Sequence, residues 1–253
     1  MLLRLRIWVA DRPGALGQVT RELGACGADI VQVSVLSRER GRALDEITVF
    51  LPEPEQQSRI ERSLRAIGSV AVEGIRPSGE VPGAFPDLDL LGRVAADPRA
   101  ALNILADAMP RILAADWAIA VHAGISGPLP DSAVLARSWD APREPVLPEL
   151  PRRAATVSVG RIRYACAPVG ESIANIVVCR LGDPVFHRFE VMRLARITEV
   201  ASAIAGSRLS VRGPAPATAA TAAQSPPPGS APSAAGPVAG TTTSGRGSAP
   251  AAQ

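Results

Sequence analysis

The sequence lacks or is short of residue types on which several common functions depend. None of its 27 basic residues is a lysine, and aromatic residues make up only 3% of its 253 residues. The shortage of aromatics argues against a single-strand nucleic-acid binder, because such proteins stack bases on aromatic side chains. The absence of lysine excludes enzymes that work through a lysine Schiff base.

Charge of one sign is not concentrated anywhere in the sequence. The net charge is +3, but the arginines alternate with acids, as in Arg59, Glu61, Arg62 and Arg65. Such mixing is typical of a solvated helix face, whereas a phosphate backbone is bound by clustered basic residues. We therefore expect no nucleic-acid partner.

Cysteine and histidine are also scarce. The cysteines are Cys26, Cys166 and Cys179, and the histidines are His122 and His187. Their spacing matches no metal-ligand pattern, so we expect no structural metal and no cofactor, with the cysteines buried in a reducing cytosol. No run of eighteen apolar residues occurs, so we expect no membrane partner and a cytoplasmic protein.

Residues 1–76 predict a compact unit with the element order β-α-β-β-α-β. Apolar residues alternate in the first, second and third strands, and recur every three or four positions in the two helices. This order predicts an α+β, ferredoxin-like antiparallel sheet with both helices on one face. The other face of the sheet would be left uncovered, and a second copy or another domain is its natural cover. We therefore expect self-association, most simply a homodimer.

A turn after the first strand carries recognisable helix-start chemistry. Asp11 can cap the first helix, Pro13 fits its first turn, and Gly27 can end it. Asp11 therefore has two possible interpretations, a helix cap and a ligand-binding residue.

The run DRPGALGQVTRELGACGADIVQVSV resembles the start of an ACT domain, a regulatory module that binds amino acids. The family has an acid-x-Pro-Gly turn, a leucine on the following helix, and a Gly-x-Asp/Asn-Ile passage into the second strand. The matching residues are Asp11, Pro13, Gly14, Leu16, Gly27, Asp29 and Ile30. The resemblance implies a ligand pocket where the Pro-Gly turn meets a neighbouring subunit.

The chemistry of the turn agrees with an amino-acid ligand. A helix N-terminus favours a carboxylate, and Gly14 allows the backbone to approach it closely. Asp11 or Asp29 could then pair with the ligand's ammonium group, although Asp29 could equally be an ordinary turn residue. The candidate ligand-binding residues are Asp11, Pro13, Gly14, Ala15, Leu16, Ala28, Asp29 and Ile30.

Residues 77–86 have the composition of a linker, and residues 87–212 predict a second α+β domain. Two helices, several antiparallel strands and a closing helix are expected there, with Trp117, Trp139 and Tyr164 in the core or an interface. The run GDPVFHRFEVMRLARITEVASAI resembles the end of a GAF-like sensory domain. His187 could line a pocket there, or cap the closing helix.

Residues 213–253 are rich in Ala, Pro, Gly, Ser and Thr, and they predict a disordered tail. The sequence shows no phosphate-binding loop, HExxH motif or GxSxG motif, and Ser172 and Cys166 lack an identifiable partner base. We therefore expect a non-enzymatic regulatory sensor of an amino acid. The alternatives are an interaction protein that dimerises without a small ligand, and an enzyme of unrecognised type.

Overall fold

The computed structural model describes residues 1–79, 85–124, 127–128 (backbone only), 133–170 and 174–206. All of them belong to one compact unit, Met1–Pro214. The predicted tail, Ser172 and residues 80–84 of the predicted linker lie outside the described residues. The predicted domain boundaries stay predictions.

The first half of this unit is a four-stranded antiparallel sheet with two helices. Its elements are β1 (Leu2–Ala10), α1 (Ala15–Ala25), β2 (Asp29–Glu39), β3 (Arg42–Phe50), α2 (Gln57–Ala66) and β4 (Ala71–Pro77). The strand order is β2-β3-β1-β4, so β2 lies at one edge. The predicted α+β arrangement of this half is confirmed.

Alternation in the strands creates the core of this half. Leu3, Leu5 and Ile7 of β1 are fully buried, and they pair with or lie beside Ile47 and Val49 of β3. The apolar faces of α1 and α2 cover them with Val19, Leu23, Ile60 and Leu64. Burying a Leu or Ile side chain contributes about 1.5–3 kcal/mol, so this shared core holds the helices on the sheet.

The second half contains a five-stranded antiparallel sheet. Its elements are α3 (Pro86–Ala96), α4 (Ala101–Ile112), β5 (Trp117–His122), β6 (Gly127–Pro128), β7 (Val134–Arg137), β8 (Val146–Leu147), β9 (Ala155–Val159), β10 (Ile162–Val169), β11 (Ala174–Leu181) and α5 (Arg188–Ala205). The order is β7-β5-β11-β10-β9, while β6 and β8 pair separately. Strand β11 lies at the centre of this sheet, and seven of its eight residues are buried.

Both faces of this second sheet carry apolar side chains. One face packs against α3, α4 and α5, and the other forms a smaller cluster that includes Trp117 and Tyr164. These two rings meet edge to face, with centroids 6.3 Å apart. Trp139 is 94% exposed, which excludes the core position for this residue and leaves the interface position as a prediction. It follows β7 by two residues, where the chain has already left the sheet.

The second half of the chain contacts the face of the first sheet that lacks helices. Arg6 of β1 donates to the backbone oxygen of Val185 at 3.0 Å, and Arg76 of β4 donates to that of Ala114 at 3.0 Å. At Gly74 the approach is so close that an added Cβ would lie 2.4 Å from Pro184 Cδ. Of the two expected covers, a second copy or another domain, the structure shows the second, because the chain's own second half packs on this face. Any self-association must therefore rest on another surface.

Buried charge joins the two halves. Glu190 accepts from Arg180 at 2.9 Å through one oxygen, and its other oxygen lies 2.9 Å from Arg6. Arg6 also donates to Glu46 at 2.6 Å. Burial acts to raise the pKa of Glu190, but Arg180 and Arg6 outweigh it and hold that pKa below its ordinary value.

Candidate functional site

The turn between β1 and α1 places an unusual helix start at one end of the first sheet. Ala15 N–H donates to Arg12 C=O at 3.2 Å, and Gly14 has φ 83° and ψ −12°. Proline followed by a glycine with positive φ is the pattern of a type II turn. Glycine is favoured here because this left-handed conformation strains other residues.

The N-terminus of α1 has no side-chain cap among the described residues. Gly14 occupies the N-cap position, so the prediction that Asp11 caps this helix is wrong. Pro13 precedes the cap and belongs to the turn instead of the first helical turn. Backbone N–H groups at such an end need an acceptor and carry partial positive charge, which favours an anion.

Sequence reasoning missed Asp45, a buried acid near this turn. Asp45 is 2% exposed, and its Oδ1 accepts no hydrogen bond from the described residues. It lies on β3 opposite Ile7 and Val35. The alternation that places Ile47 and Val49 inward already predicted an inward position two residues earlier, so the signal was present in the sequence.

The charges around Asp45 tie it to the turn. Burial raises the pKa of Asp45 above its ordinary value, Arg38 opposes that shift, and Asp11 adds to it. Arg38 Nε lies 3.8 Å from Asp11 Oδ1. A positive group bound close to Asp45 would relieve this buried, incompletely satisfied carboxylate.

The predicted binding residues fall into two groups within one copy of the chain. Asp11, Pro13, Gly14, Ala15 and Leu16 lie at the turn. Ala28, Asp29 and Ile30 lie at the opposite end of the sheet, where Asp29 is opposite Phe50. Because β2 has eleven residues at about 3.3 Å each, roughly 30 Å separates the two ends.

The other singled-out side chains have structural roles. His187 caps α5 by accepting from Phe189 N–H at 3.4 Å, which confirms the capping interpretation. All three cysteines are free and buried. Burial raises the pKa of Cys166 and Cys179 to about 12, so these thiols are poor nucleophiles at neutral pH.

The described residues offer neither a metal-binding cluster nor a membrane-spanning helix. They contain no cluster of three or more histidine, cysteine or acidic side chains able to hold a metal ion. None of the helices in that part of the chain is long and apolar enough to cross a bilayer.

Comparison with known families finds one match in the first half. Residues 3–69 match the family model of the ACT domain. No curated protein sequence matches the chain.

Solved structures similar to this chain resemble it only distantly. A formyltetrahydrofolate deformylase from Pseudomonas putida KT2440 is 17% identical over 38% of this chain and 39% of its own length, with a TM-score of 0.26. The chain therefore spans well under half of that enzyme. A putative glycine cleavage system transcriptional repressor is 10% identical over 75% of this chain and 85% of its own, with a TM-score of 0.29. An unknown protein from Galdieria sulphuraria is 10% identical over 78% and 90%, with a TM-score of 0.26. Likenesses this weak support no conclusion about function.

Replacing Asp45 should stabilise the free protein. Because burial raises the pKa of Asp45, the folded state binds the carboxyl proton more tightly than the unfolded state does. The ionised Asp45 therefore lowers the free energy of unfolding, and this loss grows as pH rises above about 4. We expect Asp45→Asn to exceed the wild type in free energy of unfolding at pH 7, by an amount that shrinks toward pH 4. Urea denaturation across this pH range measures it.

The matched control is Glu55→Gln, which alters an exposed acid of the same half. Its difference from the wild type should be small at every pH. An Asp45→Asn protein that is less stable than the wild type at pH 7 would contradict the account of this carboxylate.

Proposed function

We propose that this protein is a non-enzymatic, cytoplasmic regulator that senses an amino acid through its ACT domain. The observations that carry the proposal are the uncapped N-terminus of α1 and the buried, incompletely satisfied Asp45, whose pKa is raised by Asp11 of the turn that leads into α1 as well as by burial. The N-terminus of α1 offers backbone N–H donors for a carboxylate, and Asp45 offers a carboxylate for an ammonium group. An α-amino acid carries both complementary charges at a fixed short separation.

In the proposed complex, the ligand's carboxylate accepts from backbone N–H groups of the first turn of α1. Its ammonium group pairs with Asp45, whose charge is then neutralised. The type II turn places Gly14, which has no Cβ, at the entrance to the proposed site. The space around it is open, since an added Cβ there would meet nothing within 4 Å. The side chain of the ligand would extend toward Asp11 and the exposed edge of the sheet.

A homodimer through β2 is the second part of the proposal. This edge strand has eleven residues, and Val31, Val33 and Val35 are all more than a third exposed. A long edge strand with apolar side chains is a template for pairing with another chain. Antiparallel pairing of two β2 strands centred on Ser34 would set Val33 opposite Val35 of the partner subunit.

The same pairing accounts for the two separated groups of predicted residues. With Ser34 at the centre, Asp29 of the partner subunit is level with Glu39, the end of β2 nearest the turn. The site would then combine Asp11 and Gly14 of one copy with Ala28, Asp29 and Ile30 of the other. Two such sites would form per dimer, related by the two-fold axis.

The second half is proposed to act as a GAF-like output domain. Its five-stranded sheet with helices from both ends of the domain on one face supports this interpretation. Arg6 lies on β1, four residues before the Ala10 end that leads into the turn, and it contacts Glu190 at the start of α5. Binding at the turn can therefore bias the contact between the halves, by a coupling of typically 1–3 kcal/mol.

A thermal-shift screen against the twenty amino acids tests the sensor. A ligand at 100 times its Kd adds about 2.7 kcal/mol of stability, which corresponds to a Tm rise of about 5–10 °C for a chain of this size. Asp45→Asn should abolish the shift although it stabilises the free protein, whereas Glu55→Gln should retain it. No shift with any amino acid would favour the interaction protein over the sensor.

Introducing positive charge on the exposed edge strand β2 tests the dimer. Val33→Lys combined with Val35→Lys would set like charges opposite each other across the proposed two-fold axis. Sedimentation should show a dimer for the wild type and a monomer for this variant. Val159→Lys, on the edge strand β9 of the other sheet, is the control and should stay dimeric. A monomeric wild type, or a dimeric double variant, would refute the β2 interface.

A further inference from the structure

A groove in the second half of the chain is large enough for a small molecule. Its volume is about 480 Å³, within the range of roughly 300–1,000 Å³ that is usual for ligand sites. It lies between α5, the end of β10 and the segment that precedes β9. The residues that matter for its chemistry are Arg152, Arg153, Ala154, Pro168, Glu199 and Ala203.

The groove combines an apolar surface with positive charge. Ala154, Pro168 and Ala203 supply apolar contact, and α5 adds Ala195. Small side chains on this face of α5 leave the space that a larger residue would fill.

The two arginines come from one short segment. Arg152 and Arg153 are consecutive and exposed, and the chain bends there before entering β9. Both line the groove, so a single anionic group can meet two guanidinium groups at once. Guanidinium groups bind carboxylate, sulfonate and phosphate oxygens through paired, charge-assisted hydrogen bonds.

The acid in the groove does not cancel this charge. Glu199 pairs with Arg196 at 2.7 Å, so its carboxylate is already matched by a neighbour on α5. The hydroxyl of Thr198 donates to the backbone oxygen of Ala195 at 2.9 Å. The groove therefore offers donors and positive charge at Arg152 and Arg153, with apolar surface beside them.

We infer that this groove binds a small organic anion with an apolar body. The anionic group lies against Arg152 and Arg153, and the apolar body lies along Ala154, Pro168 and Ala203. The site is separate from the proposed amino-acid site, since it uses no residue of the first half. Its success or failure is therefore independent of the proposed function.

The test uses the full chain and two fluorescent probes of matched shape. 8-Anilinonaphthalene-1-sulfonate carries an apolar body and a sulfonate, and N-phenyl-1-naphthylamine has the same rings without charge. The sulfonate should bind at least tenfold more tightly than the neutral probe, as measured by fluorescence titration. Equal affinity for the two probes would overturn the proposal.

Two variants locate the binding. Arg152→Gln combined with Arg153→Gln should weaken sulfonate binding at least tenfold. Ala203→Trp should also abolish binding, because residue 203 is exposed and a large side chain there fills the groove without entering the core. Arg21→Gln combined with Arg62→Gln makes the same change of charge on exposed helix positions of the first half and should leave affinity unchanged. Circular dichroism and Tm confirm that each variant is folded, and wild-type affinity in the arginine variant or in Ala203→Trp would overturn the proposal.

Discussion

The carboxylate of Glu190 is the centre of the buried ion-pair cluster between the two halves. One oxygen accepts from Arg180, and the other accepts from the His187 backbone N–H at 2.7 Å and lies 2.9 Å from Arg6. It thus pairs with two buried guanidinium groups, of which Arg6 is also paired with Glu46, and it fixes the start of α5 in the same place. Removing one partner of such a cluster is costly, because the remaining charges stay buried without compensation. The contact therefore specifies one geometry more sharply than apolar packing alone would.

Local sequence patterns predicted the first half well, because its strands and helices each follow from the spacing of apolar residues within a short segment. The alternation of Leu3, Leu5 and Ile7 was sufficient to predict β1 and its buried face. Asp45 followed from the same rule but was missed, because an acid in an inward position breaks the expected chemistry. Contacts between the halves could not be predicted from the sequence, because Arg6 and Glu190 are far apart in it and no local pattern near either residue indicates the other. Trp139 shows that an apolar residue type does not by itself predict burial, since of the two expected positions, core or interface, its exposure excludes the core.

These features give the first half of the chain two different surfaces. The helix-covered side ends in the Gly14 turn and Asp45, where a small zwitterion is the proposed ligand. The other side is held by Arg6 and Arg76 against the second half of the chain. Because β1 passes from Arg6 to the turn, it connects the proposed binding site to the contact between the halves. Regulation would then require only a small change in the position of β1.

The central claim is that Glu190 makes the two halves one cooperative unit. Pulsed hydrogen exchange across a urea gradient tests it directly, since peptides from β1 and from β11 report on the halves separately. The wild type should lose protection in both at one urea concentration. Glu190→Gln should lower stability by about 3–5 kcal/mol and separate the two transitions. Separate transitions in the wild type, or an unchanged single transition in Glu190→Gln, would contradict the account.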